Sequence, residues 1–144
     1  MKLIKRLSVL VALAALASCA ESTPPPPAAP VAAKSTVLTD LDKAVATVEK
    51  KMVDLAKVMP ESSMDWRPMP GVRSVREVFL HIAGENYIIP SFFGTPIPAS
   101  TGIDMKNEKS ITAYEGRKIS RDSTVADLET SFKALRAAMA ADTV

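Results

Sequence analysis

A chain of 144 residues, 47% of them apolar, is long enough to bury one core and short for several domains. A single cysteine and a single histidine exclude a disulfide scaffold, and they cannot supply the several imidazoles or thiolates of a typical zinc module. The formal charge of +2, from 18 basic and 16 acidic residues, gives no basic patch that would point to nucleic acid.

The chain opens with Lys2, Lys5 and Arg6, then an apolar run from Leu7 to Ala17 broken only by Ser8, then Leu16-Ala17-Ser18-Cys19. That run is too short to span a bilayer, which takes about 20 residues as a helix. A basic start, a short apolar core and a small-residue exit form a secretory signal, here residues 1–18. Its last four residues resemble the lipobox of bacterial lipoproteins, in which the cysteine sulfur receives a diacylglycerol before cleavage in front of it. Ordinary cleavage after Ala15-Leu16-Ala17, leaving Cys19 as a spare thiol, is the alternative; the lipobox is favoured because the chain's one cysteine stands at this position. Acyl chains contribute about 0.8 kcal/mol per buried CH2, so a multiply acylated Cys19 is a stable anchor.

The expected mature protein therefore begins at Cys19 and is tied to a membrane of the cell envelope, facing the periplasm. Loss of Lys2, Lys5 and Arg6 leaves 15 basic against 16 acidic residues, so the mature chain is close to neutral. Ala20 stands where an aspartate commonly retains such proteins at the inner membrane, which favours the outer membrane in a two-membrane organism. Residues 19–34 read as a tether, since Pro24 to Pro27 and the Ala, Ser and Thr around them cannot enter a helix or sheet interior. A spacer is favoured over a specific proline-rich ligand.

Residues 35–144 read as one small helical domain. Leu38, Leu41, Val45, Val48, Met52, Leu55 and Met59 recur at three- and four-residue steps and define a first helix, with Thr39 and Asp42 as a capping box and Pro60 as its stop. A turn-rich connector, Glu61 to Arg73, holds Trp66-Arg67-Pro68-Met69-Pro70-Gly71, and Trp66 is expected to plug the core beneath it. Ser74 and Glu77 cap a second helix with an apolar face of Val75, Val78, Phe79, Ile82 and Ala83, ending at Pro90. An irregular stretch from Phe93 to about Asp122 leaves room for a short helix over Asn107–Lys118. Val125, Leu128, Phe132, Leu135 and Met139 make a third main helix with Thr124 and Asp127 as its cap. No alternating strand pattern competes. The expectation is an all-α fold, an up-down helical bundle with near-antiparallel packing.

Three polar residues stand out on the second helix. His81 and Glu85 fall at the border of its apolar arc, one turn apart, and Asn86 falls inside it. A histidine and a carboxylate entering a bundle interior can begin a metal site. The structural alternative is favoured: His81 hydrogen-bonds Glu85 or a loop carbonyl, Asn86 ties the long loop to the helix, and Met52, Met59 and Met139 fill core.

The run Asp65-Trp66-Arg67-Pro68-Met69-Pro70-Gly71-Val72-Arg73-Ser74-Val75-Arg76-Glu77-Val78-Phe79-Leu80-His81-Ile82-Ala83, followed by Asn86-Tyr87, resembles the DinB-like (damage-inducible) superfamily, with weaker similarity over roughly residues 36–140. The resemblance implies a four-helix bundle holding a divalent metal through three histidines, of which His81 matches the one on the second helix. The other two belong to a His-x-x-x-His on the fourth helix. Some relatives are thiol-dependent transferases or isomerases, and the family name does not imply DNA repair. This chain departs from the pattern, because it has three main helices and no second histidine. The expectation is a domain truncated before its fourth helix, or one whose open groove is covered by a partner helix or a second copy. A metal (Zn or Ni) then belongs to a full-length form with His81 as ligand and Glu85 and Asn86 behind it, and none to this chain. The alternative function is a non-catalytic envelope lipoprotein whose helical domain binds a partner protein.

Overall fold

A computed structural model describes residues 36–141, all within one compact unit, Ala32–Val144. The signal, Cys19 and the whole tether lie outside the described residues. The described chain is all-helical. Its four helices are α1 (Thr36–Val58), α2 (Val75–Ser91), the short α3 (Glu108–Glu115) and α4 (Arg121–Ala141), with single 3-10 turns at Glu61–Ser63 and Ala99–Thr101.

The helix boundaries follow local chemistry. Ser74 caps α2 as its sequence promised: its hydroxyl accepts from the Glu77 amide at 3.3 Å, and Glu77 accepts from the Ser74 amide at 2.7 Å. Pro90 sits one residue inside the end of α2, where its missing N–H costs a single hydrogen bond in the last turn. Two expected caps lie inside helices instead. Thr39 and Asp42 fall in the body of α1, which is already helical at Thr36. At α4 the Ser120 hydroxyl accepts from the Ser123 amide at 3.1 Å, so the helix starts at Arg121. Thr124 is buried there and donates to the Ser120 carbonyl.

Helix α4 lies between α1 and α2 and packs on both, while α3 packs on α2. Lys57 near the end of α1 pairs with Glu129, and Arg136 farther along α4 reaches back to Asp42 and Glu49, so α1 and α4 run antiparallel. The Arg121 amide donates to Glu61 beside the start of α2, and Asn86 donates to Ser131 farther along both helices. Helices α2 and α4 therefore run in the same direction. The up-down alternation holds from α1 to α2 and then breaks, because the long connection carrying α3 brings the chain back before α4 begins.

The core is built from Val53, Ala56, Met64, Phe79, Ala83, Tyr87, Ile88, Ile103, Tyr114, Val125, Leu128 and Phe132. Its pattern refines the expected stripes. On α1 the covered side is Val45, Met52, Val53, Ala56 and Met59, whereas Leu41, Val48 and Leu55 on the flank stay about half exposed. Those three repeat every seven residues, so they form one uncovered row (i, i+7, i+14) on that helix. The expected core plug is also elsewhere: Met64 is fully buried under the connector, and Trp66 is 62% exposed. Trp66 contributes through its backbone, whose carbonyl accepts from the Val75 amide at 3.1 Å.

Between α1 and the far ends of α2 and α4 lies an apolar groove of about 390 Å³, lined by Leu38, Leu41, Ile89, Phe93, Leu135 and Met139 among others. It exists because α1 and α2 both lean on α4 and hardly on each other. No helix among the described residues is long and apolar enough to cross a membrane.

Candidate functional site

The second concavity is polar and lies on the opposite side of α2's start. It is an open cleft of about 820 Å³ bordered by the connector (Arg67, Gly71, Val72, Arg73), the first turns of α2 (Glu77, Val78, His81) and the end of α3 (Thr112, Glu115, Gly116). Gly71 turns the connector with φ of 83°, a conformation side-chain-bearing residues rarely adopt. That turn lets Arg67 reach both the Val72 carbonyl and Glu77, each at 2.9 Å.

At the centre, His81 meets α3 across 34 residues of sequence: its Nδ1 stands 2.7 Å from Glu115 Oε1. Arg73 donates to both oxygens of the same carboxylate, at 2.8 and 3.2 Å. Burial raises the pKa of Glu115, but hydrogen bonds from Arg73 and His81 and their nearby charges outweigh it and hold the carboxyl below its ordinary value. Glu115 is thus an ionised acceptor, and an imidazole that donates Nδ1–H to it presents Nε2 as the free nitrogen.

The cleft wall is held in register from behind. Tyr114 is buried against α2 at Gly84, where an added Cβ would stand 3.4 Å from the ring. Its hydroxyl donates to Asp127 of α4 at 3.0 Å, Arg117 also pairs with Asp127, and the Arg117 guanidinium lies 3.9 Å over the tyrosine ring. Tyr114 thus packs α3 on α2 at Gly84 and ties α3 to α4 through Asp127, on the same short helix that carries Glu115 to His81.

Of the residues singled out from sequence, His81 lies on the cleft, with its side chain 37% exposed. Glu85 is 4.0 Å from His81 Nδ1, outside hydrogen-bonding range, so Glu115 and not Glu85 is its carboxylate partner. Asn86 is buried on another face of α2 and donates to Ser131 of α4 at 3.0 Å, so it ties helix to helix and not helix to loop. Cys19 lies outside the described residues. Sequence reasoning missed Arg73 and Glu115. Arg73 stood within the family-like run, but nothing local marked Glu115 as the residue that α3 would carry to α2.

The described donor set does not fit a metal centre by itself. Among the described residues no three His, Cys, Asp or Glu side chains converge as a ligand group. His81 is the only imidazole, and Glu115 already carries the Arg73 guanidinium, a cation that competes with any metal there.

Glu115 also yields a pH-dependent expectation. Because its folded pKa lies below the ordinary 4.5, its contribution to stability is present above that value and is lost as pH falls through the folded one. Urea unfolding at about pH 6 and about pH 3 should show a smaller acid loss in Glu115→Gln than in the wild type. An identical loss in both proteins would mean that Glu115 contributes no linkage.

Comparison with known proteins adds no relative: no family profile, no curated protein and no solved structure matches the chain.

Proposed function

We infer that the chain is a lipid-anchored protein of the cell envelope carrying a DinB-like helical domain, with the cleft at His81 as its inherited functional site. The observation that supports this reading is the pairing of His81 Nδ1 with Glu115 at 2.7 Å. A carboxylate or carbonyl behind one ring nitrogen is the usual means of fixing a ligating histidine's tautomer and orientation. His81 stands at the position that the resemblance gives to the ligand of α2.

One imidazole does not make a centre. A divalent metal such as Zn or Ni would need further donors from beyond the described residues. What the cleft supplies by itself is a fixed imidazole nitrogen beside two arginines, Arg67 and Arg73, whose carboxylate partners Glu77 and Glu115 leave it near neutral. The apolar groove supports a reading in which the domain binds, since an uncovered furrow on a small domain is a docking surface.

Metal analysis of the full chain after incubation with Zn and Ni tests the site. The expected result is clearly less than one metal per chain, unchanged in His81→Ala. A stoichiometric metal lost in that variant would reinstate a metal centre. The anchor has its own test, labelling cells with a palmitate analogue: label on the wild type and none on Cys19→Ala is expected, and an unlabelled, freely soluble wild type would end the lipoprotein reading.

A further inference from the structure

The two ends of the bundle differ in charge. The end holding the connector carries Glu61, Asp65, Arg76, Lys118 and Arg121 in one ionic network. The opposite end gathers the start of α1 and the finishes of α2 and α4. From Asn86 to Ile103, 18 consecutive residues running through that end include no Asp, Glu, Lys or Arg.

The same end exposes large apolar side chains. Phe93 is 78% exposed, Val37 73% and Phe92 70%, with Leu41 and Ile89 each near half. Phe92 and Phe93 follow the last turn of α2, and Phe93 and Ile89 form one rim of the apolar groove. The nearby charges on α1 and α4 are matched in pairs, Lys43 with Asp40 and Arg136 with Asp42, so the end has no charge pattern to orient a protein partner.

We propose that this end, with the exposed Phe92 and Phe93 following the uncharged finish of α2, docks on the surface of a lipid bilayer. The inference rests on the lipid-anchor reading for one element, the direction from which the membrane approaches. The chain upstream joins the domain at Thr36, beside Val37 and the groove residues Leu38 and Leu41. Cys19 lies 17 residues earlier, a span of at most about 60 Å when fully extended. An anchor there holds the domain at a high local concentration near lipid, so even a weak apolar surface is occupied much of the time. Phenylalanine side chains suit the boundary between headgroups and acyl chains, and the carboxylates at this end, Asp40 and Asp42, are each paired with a cation, which limits repulsion from anionic headgroups. The polar cleft at the start of α2 then faces away from the membrane, since α2 is roughly 25 Å long.

The chain's one tryptophan, Trp66, lies at the connector end and serves as an internal control. The full chain is purified from membranes and reconstituted into vesicles of phosphatidylethanolamine and phosphatidylglycerol with brominated acyl chains. A second protein carries Phe92→Trp on a Trp66→Phe background, and a third carries Phe93→Trp on the same background in case the first folds poorly. The expected result is a several-fold loss of emission at position 92 or 93 and almost none at Trp66. Equal, small quenching at both ends with the protein vesicle-bound overturns the proposal. So does an emission at 92 or 93 that shifts with protein density alone, which would give this end to a second copy. Mass analysis of the N-terminal peptide reads the anchor separately. Quenching without lipid on Cys19 upholds the docking surface and removes the anchor reading, and lipid without quenching does the reverse.

Discussion

Leu128→Ala should cost the domain about 2–5 kcal/mol, the range for a large core side chain whose cavity closes only in part. Leu128 is fully buried in the core on α4, the helix that packs on both α1 and α2. Domains of this size have total stabilities of about 5–15 kcal/mol, and 1 kcal/mol moves Tm by about 4–8 °C. A thermal melt followed by helical circular dichroism should therefore fall by about 10 °C or more. The informative comparison is Leu55→Ala, the same change at a side chain 48% exposed on α1, which should cost less than about 1 kcal/mol. Equal losses at the two sites would mean that the uncovered row on α1 is in fact covered.

The second large effect belongs to Arg76. Its side chain is 6% exposed and reaches out of α2's first turn to Asp65 and Glu61, while its backbone amide donates to the Met64 carbonyl at 2.9 Å. Asp65 also accepts from Lys118, and Glu61 from the Arg121 amide, so one guanidinium joins the connector, the start of α2 and the approach to α4. A hydrogen bond from Lys118 is the largest influence on the Asp65 carboxyl; with the nearby charges of Arg76 and Lys118 it holds the pKa below the ordinary value against burial, which raises it. Arg76→Met keeps an apolar stem and removes the pairs. Charged hydrogen bonds contribute about 1.5–3 kcal/mol each, but water can replace the guanidinium at carboxylates this exposed, so a loss of about 2 kcal/mol is expected. It should shrink in acid, where Asp65 is protonated and the wild type has lost that interaction. A urea series across pH measures this, and a loss that stayed constant into acid would show that packing and not charge sets the effect. Part of Arg76 is less well served than the rest, as its Nε is buried without a hydrogen-bond partner.

The legible parts of this fold were those encoded within a few residues. Ser74 and Glu77 wrote the α2 cap into four positions, and the three- and four-residue spacing on α1, α2 and α4 gave an all-helical chain. Three things were not local. Periodicity assigned Leu41, Val48 and Leu55 to the same face as Val45 and Met52, yet only packing decides how much of a wide apolar arc a neighbour covers. The direction of α4 depended on a long connection whose only α-helix is the eight-residue α3. The partner of His81 was beyond reach for the same reason: Glu85 one turn away was the natural candidate, and Glu115, carried in on α3, takes its place. Asn86 was correctly read as facing inward, and its partner Ser131 was another residue that no short-range pattern names.

Glu115 holds the chain's only histidine through Nδ1, which leaves Nε2 as the free nitrogen of a residue that lines the cleft. A single histidine gives a single imidazole in nitrogen-15 NMR, so the tautomer is read without ambiguity. At a pH where the ring is neutral, the proton is expected on Nδ1 with Nε2 bare, reverting in Glu115→Gln towards the Nε2–H form that a free imidazole prefers. A wild-type ring already in the Nε2–H form, and unmoved by the substitution, would mean that Glu115 does not hold the histidine.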